Sequence, residues 1–271
     1  MRLFLHPQVS LEHTKADTMQ DRAQSGEITD SSFSLDAGRK VLDTTLLDNP
    51  IWSALSTEHL GLALGDERAR RYPVEIGPLS GIPAQTKESY EALSELARDG
   101  VVVLFSVEPI VPVGGLQVMR SGPIVQMVRE TRGVEPDAGA LTPRRLTAAD
   151  APAMVTLAEL TEPGPFRMRT LELGNFYGIF HGPELVAMAG KRMHLPGLVE
   201  VSGVCTHPEA RGKGYARRLM QIVIDEIERD GKTAFLHAFS TNPAIRLYEA
   251  LGFEKRQEFH FAALGNDAKK R

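Results

Sequence analysis

The sequence predicts a layered α+β protein. Three observations carry that expectation. Helical and strand-like apolar periodicities alternate along both halves of the chain. One long amphipathic helix sits between two apolar strands, and a polar stretch rich in Gly and Pro separates the halves. With 271 residues the chain is near the size at which a single core stops growing, so one large or two medium domains are expected.

Composition narrows the function classes. A formal net charge of -4 argues against nucleic acid or an anionic membrane as the main partner. The single cysteine, Cys205, rules out an intrachain disulfide and a Cys-rich zinc site, and no metal centre is expected. The opening MRLFLHPQVS lacks the apolar core of a signal peptide, and no apolar run approaches a membrane span. A cytoplasmic protein, monomer or homodimer, is the expectation.

Residues 1–34 are polar and are expected to be a poorly ordered lead-in. Residues 35–138 look folded. Asp48-Asn49-Pro50 is a cap with Pro in the first helical turn, and Trp52, Leu55 and Leu62 follow at helical spacing. Tyr90, Leu93 and Ala97 mark a second helix ending at Gly100. Val101–Val107 and Ile124–Val128 read as strands. RETRGVEPDAGALT (129–142) reads as a linker, with a domain boundary near Gly139.

In the second half, 139–271, a short strand at Leu141–Leu146 leads to a helix opened by Thr147 and Asp150. The EPGPF loop (Glu162–Phe166) follows. Phe176–Phe180, Leu185–Met193 and Leu198–Thr206 read as strands. A helix over Tyr215–Asp230 carries Ala216, Leu219, Val223 and Ile227 as its apolar stripe. Thr233–Phe239 is a strand, Asn242-Pro243 caps a short helix to Leu251, and Phe253–Leu264 supplies the last strand or pair.

Chemistry concentrates in Arg211-Gly212-Lys213-Gly214-Tyr215-Ala216, between a strand and the long helix. Small residues let the backbone turn tightly and expose N–H groups, and the helix dipole adds positive potential. Arg211, Lys213 and Arg217 bring full charges to the same place. The combination suits a pyrophosphate, while the bland alternative is a Gly-rich turn with solvated basic residues. The segment is neither a Walker loop nor a dinucleotide fingerprint.

EVSGVCTHPEARGKGYA (200–216) resembles motif A of the GNAT superfamily of N-acetyltransferases: a strand, an R/Q-x-x-G-x-G/A turn, then a helix. NPAIRLYEALGFE (242–254) is similar to the motif that follows it in that family, and RLTAADAPAM (145–154) to its usual opening. The resemblance covers about Leu141 to Leu264. It implies a mixed, mostly antiparallel sheet flanked by helices, and an acetyl-CoA-dependent transfer to a primary amine of a small molecule or peptide, with CoA as product. It implies backbone contacts to the pantetheine arm from Val204, Cys205 and Thr206. The pyrophosphate cradle would be Arg211, Gly212, Lys213, Gly214, Tyr215, Ala216 and Arg217, and Asn242 would bond the pantetheine. Tyr248 would be the general acid and Glu200 a candidate base, with Glu162 an alternative facing the acceptor. Cys205 reads better as a small buried residue than as a nucleophile. A non-catalytic CoA-binding module, or use of another acyl-CoA, shares the same motifs. The helix and strand content of the first half allows a degenerate second copy of the same fold.

Overall fold

A computed structural model describes residues 43–130 and 142–266, all within one compact unit. The expected lead-in and most of the expected linker lie outside the described residues.

The first α-helix among the described residues is α1 (Pro50–Ser56), whose N1 proline fits the helix entry as expected. Three two-residue strands follow, β1 (Leu64–Gly65), β2 (Arg70–Arg71) and β3 (Ser80–Gly81), forming a small antiparallel sheet. Helix α2 (Lys87–Leu96) is capped by Thr86, whose hydroxyl accepts from the Ser89 amide. Strands β4 (Val102–Ser106) and β5 (Leu116–Arg129) complete the first half.

The second half comprises β6 (Arg144–Arg145), α3 (Ala151–Thr161), β7 (Phe176–His181), β8 (Glu184–Leu195) and β9 (Leu198–Thr206). It continues with α4 (Tyr215–Arg229), β10 (Thr233–Phe239), α5 (Ile245–Ala250) and β11 (Phe253–Asn266).

Eight strands form one sheet in the order β4-β11-β5-β10-β9-β8-β7-β6. Every neighbouring pair in it is antiparallel except β9–β10, which is parallel. The sheet is thus mixed and mostly antiparallel. Alternation along the strands gives it two buried faces. On β10, Ala234, Leu236 and Ala238 join the core built by Leu219, Val223 and Ile227 of α4. Phe235, between them, joins the opposite core with Ile51 and Leu55 of α1. Met154 and Leu157 of α3 pack with Leu185, Met188 and Cys205. The result is a sheet covered by helices on both faces.

Apart from the small β1–β3 sheet, the two halves share one sheet. Strand β5 lies between β10 and β11, pairing Phe235–Phe239 on one edge and Phe253–Asn266 on the other. The expected partition into residues 35–138 and 139–271 therefore gives way to a single interleaved unit. Residues 43–130 build no second copy of the fold, since their two longer strands complete the C-terminal sheet. Hydrogen bonding explains the arrangement: without β5, β10 and β11 would each present an unpaired edge to one another.

Candidate active site

The parallel ladder between β9 and β10 is short. Leu198, Val199 and Glu200 pair with Thr233, Ala234 and Phe235, and there the pairing stops. Beyond that point β9 runs on to Thr206 and β10 to Phe239 as separate strands. The sheet opens into a cleft, and β9 carries a bulge there. Its register against β8 slips between Ser202 and Cys205, and Gly203 adopts φ +63°. A Cβ at Gly203 would sit 2.8 Å from Phe176 Cε1, so glycine meets both a conformational and a steric need.

The cleft widens into a cavity of about 790 Å³, counted out to its open mouth. Val201–Val204 of β9 and Leu236–Phe239 of β10 form its sides. Asn242 and Tyr248 line it from the α5 region, and Glu162–Pro165 line it from the loop after α3. No helix among the described residues is long and apolar enough to cross a membrane.

Tyr248 belongs to the core beneath α4 and reaches the cavity. Burial alone pushes its phenol up to about 12, so it stays protonated at neutral pH. Asn242 accepts the Ala244 amide through Oδ1 at 2.9 Å, which leaves its Nδ2 donors free of that turn.

The Gly-rich turn stands at the start of α4. Gly212 and Gly214 have φ +77° and +76°, and nothing lies within 4 Å of where a Cβ would be. A ligand can approach that backbone closely. The first helical bond runs from Arg218 N to Gly214 O at 3.0 Å, so the amides of Tyr215, Ala216 and Arg217 have no intrahelical acceptor. Arg211 and Lys213 are exposed, and Arg217 is half-buried. Tyr215 is buried instead, and its hydroxyl lies 2.9 Å from His181 Nε2, anchoring the helix start to β7. Exposed amides at a helix N-terminus, two open glycines and three basic side chains fit a pyrophosphate.

Glu200 is not placed as a base. It is fully buried and does not line the cavity. Its carboxylate accepts two bonds from Arg192, Nε at 2.6 Å and Nη2 at 2.7 Å, and one from His237 Nδ1 at 2.8 Å. Burial acts to raise its pKa, but the Arg192 charge and these hydrogen bonds overcome that and hold it at about 2. Three donors and full burial keep this carboxylate away from any amine in the cavity. It holds Arg192 and His237, and those two do line the cavity.

Gln126 settles the state of His237. Its Nε2 donates to Leu47 O at 2.9 Å and lies 3.1 Å from His237 Nε2, while its Oε1 accepts from Arg256 at 3.0 Å. An amide nitrogen only donates, so His237 Nε2 accepts and Nδ1 carries the proton toward Glu200.

Cys205 and Thr206 also fall outside the cavity wall. The bulge at Gly203 turns the Cys205 side chain into the α3 core, where burial pushes its thiol up to about 11. Thr206 pairs with Ala187 of β8. Of the three strand positions expected to hold the pantetheine, Val204 lines the cavity. The neighbours that do so, Ser202 and Gly203, were not singled out from the sequence. The signal for them was Gly203 itself, a glycine inside an apolar strand. Arg192 and the phenylalanines of the cavity had no such signal, because pairing across strands is invisible in one sequence.

Glu162 caps α3 in the left-handed region, φ 48° and ψ 51°, the one non-glycine residue with positive φ among those described. That conformation costs about 1–2 kcal/mol. Among the residues lining the cavity it is the one carboxylate.

Comparison with known proteins agrees with this geometry. The family model described as FR47-like protein matches residues 176–262. A GNAT-family protein from Novosphingobium aromaticivorans DSM 12444 is 35% identical, with a TM-score of 0.75; the alignment covers 82% of this chain and 99% of that one. A GCN5-related N-acetyltransferase from Kribbella flavida shares 17% identity and a TM-score of 0.55 over 81% of this chain and 96% of its own. No curated protein matches the chain. A sheet that opens beside a Gly-rich turn at a helix N-terminus, with these likenesses, defines the class. The chain belongs to the GNAT family and is an acyltransferase.

Proposed function

We propose that the protein is an N-acetyltransferase that takes the acetyl group from acetyl-CoA and passes it directly to a primary amine. The observation that carries this reading is Tyr248: a buried, protonated phenol facing the β9–β10 opening, with no charged neighbour shifting it. Its position matches the general acid of the family motif.

In this reading the turn from Arg211 to Ala216, with Arg217, holds the pyrophosphate. Asn242 and the free edge of β9 around Gly203 and Val204 hold the pantetheine arm. The thioester supplies an activated acetyl group. Amides on the unpaired β9 edge face the carbonyl oxygen as it gains charge. Tyr248 gives its proton to the departing sulfur. An alkyl amine of pKa about 10.4 must first lose a proton, at a cost on the order of 4–5 kcal/mol at pH 7. Glu162 is the carboxylate placed to attract the ammonium and to receive that proton, directly or through water.

Two measurements test this. Calorimetric titration with acetyl-CoA should show saturable binding, and thiol release should depend on an added amine. Tyr248→Phe should lower kcat roughly 10²- to 10⁴-fold, with a far smaller change in Kd for CoA. Tight CoA binding without transfer to any amine would instead support a non-catalytic CoA-binding module. Faster turnover with a longer acyl thioester would reassign the donor.

A further inference from the structure

The two ends of the cavity belong to opposite faces of the sheet. Tyr248 packs in the α4 core, and the pyrophosphate turn opens α4 on that same face. Arg192, Phe105, Phe239 and Phe261 stand on the other face, beyond the opening. A donor entering from the α4 face fills the opening from that side. An acceptor must then reach the thioester from the opposite face.

That face carries an aromatic floor assembled from three strands. Phe261 of β11 pairs with Phe105 of β4 and, on its other edge, with Gly122 of β5. Phe239 of β10 pairs with Ile124 of β5. The Phe239 and Phe261 rings meet edge-on with centroids 5.6 Å apart, and Phe105 lies 6.3 Å from Phe261 and 5.0 Å from His237. Other phenylalanines of the same strands, Phe235, Phe253 and Phe259, are fully buried, whereas Phe239 is 36% exposed and Phe105 and Phe261 are half-buried. Aromatic surface left open inside a cavity gains free energy when an apolar partner covers it.

Charge selects the other end of that partner. Two charged side chains line the cavity, Arg192 and Glu162. Arg192 is neutralised by its paired bonds to Glu200. Arg120 lies over the Phe239 ring, 5.5 Å from its centroid, and does not line the cavity. The charged residue left on the cavity wall, with no ion pair among the described residues, is Glu162.

We infer that the acceptor is a small primary amine with a compact aromatic or branched apolar body, the body on Phe105, Phe239 and Phe261 and the ammonium toward Glu162. This rests on the N-acetyltransferase reading above and names its substrate class. Glu162 takes the first proton of the ammonium, directly or through water. The neutral nitrogen forms the new amide bond, the C–S bond breaks, and the sulfur takes a proton from Tyr248. The second proton lost by the nitrogen returns Tyr248 to its phenol form through water.

The test is thiol release at fixed acetyl-CoA with phenethylamine, ethanolamine, spermidine and a lysine-containing peptide. The kcat/KM for phenethylamine should exceed that for ethanolamine roughly ten- to a hundredfold. Phe239→Ala and Phe261→Ala should each lower that ratio about tenfold. A ratio does not depend on the fraction of folded enzyme, so a destabilised variant still reports. A wild-type ratio near one, preference for spermidine or the peptide, or variants that leave the ratio unchanged would overturn the acceptor assignment alone. No thiol release with any amine would overturn the N-acetyltransferase reading, and calorimetry with CoA would show whether donor binding had failed too.

Discussion

Glu200 and Tyr248 show what one residue's surroundings decide. Both stand out in the sequence for their place in the family motifs, and those motifs carry no record of what the side chains touch. Tyr248 meets the cavity. Glu200, on the opposite side of β9 from the α4 core, meets Arg192 and His237, which arrive from β8 and β10. Arg192 lies eight residues before Glu200, across the β8–β9 turn, and His237 thirty-seven after it, and strand periodicity alone does not report either contact. Glu200→Gln should therefore act chiefly on stability. Removing one member of a buried pair strands the Arg192 charge and costs about 3–5 kcal/mol, measurable by urea unfolding at pH 7. The carboxyl is depressed from 4.5 to about 2, so its contribution is present above about pH 4.5 and is lost as pH falls toward 2. The stability gap between wild type and variant should narrow over that range. A variant with native stability and an altered acid limb of the rate profile would restore Glu200 as a base.

At the scale of elements, most of the C-terminal half was legible to within a residue or two, although the strand expected over Leu141–Leu146 pairs only at Arg144–Arg145. Strands β9 and β10 have the bounds expected of them, and α4 ends at Arg229 where Asp230 was expected. Strong apolar patterning and an uninterrupted stripe make such segments readable. Strand β5 was not: only Ile124–Val128 was expected of the fourteen residues from Leu116 to Arg129. Gly122 and Pro123 interrupt it, and Met119, Arg120 and Ser121 are exposed, so alternation is lost over its first half. The bulge in β9 likewise depends on Phe176 across the sheet, which strand periodicity does not report. Gly203→Val should straighten or distort that bulge. It forces a branched residue to φ +63° against Phe176, at a cost of about 1–3 kcal/mol. Calorimetry should show CoA affinity weakened at least tenfold, with a lowered thermal midpoint. Unchanged affinity would remove the bulge from the donor site.

For the whole molecule, the placement of β5 decides what can fold alone. A fragment of residues 139–271 contains every motif of the family, yet β10 and β11 would face each other across a missing strand. Expressed alone it should be aggregated or lack cooperative thermal unfolding, and co-expression with residues 43–130 should restore soluble protein that binds CoA. A soluble, cooperatively folded fragment would show that β5 is dispensable. The boundary near Gly139 looked convincing in sequence because composition does change there. Composition records solvent exposure, and strand insertion is a long-range event that leaves no local mark.

The same inserted strand orders events in time. A ribosome finishes β5 long before it makes either of the strands that flank it. Leu116–Arg129 must wait with both edges open until β10 emerges, and the second edge closes only with Asn266, near the end of the chain. High contact order of this kind slows folding and prolongs exposure of an adhesive strand. The glycine, proline and polar residues that hid β5 from a periodicity reading also make it a poor template for other chains during that wait.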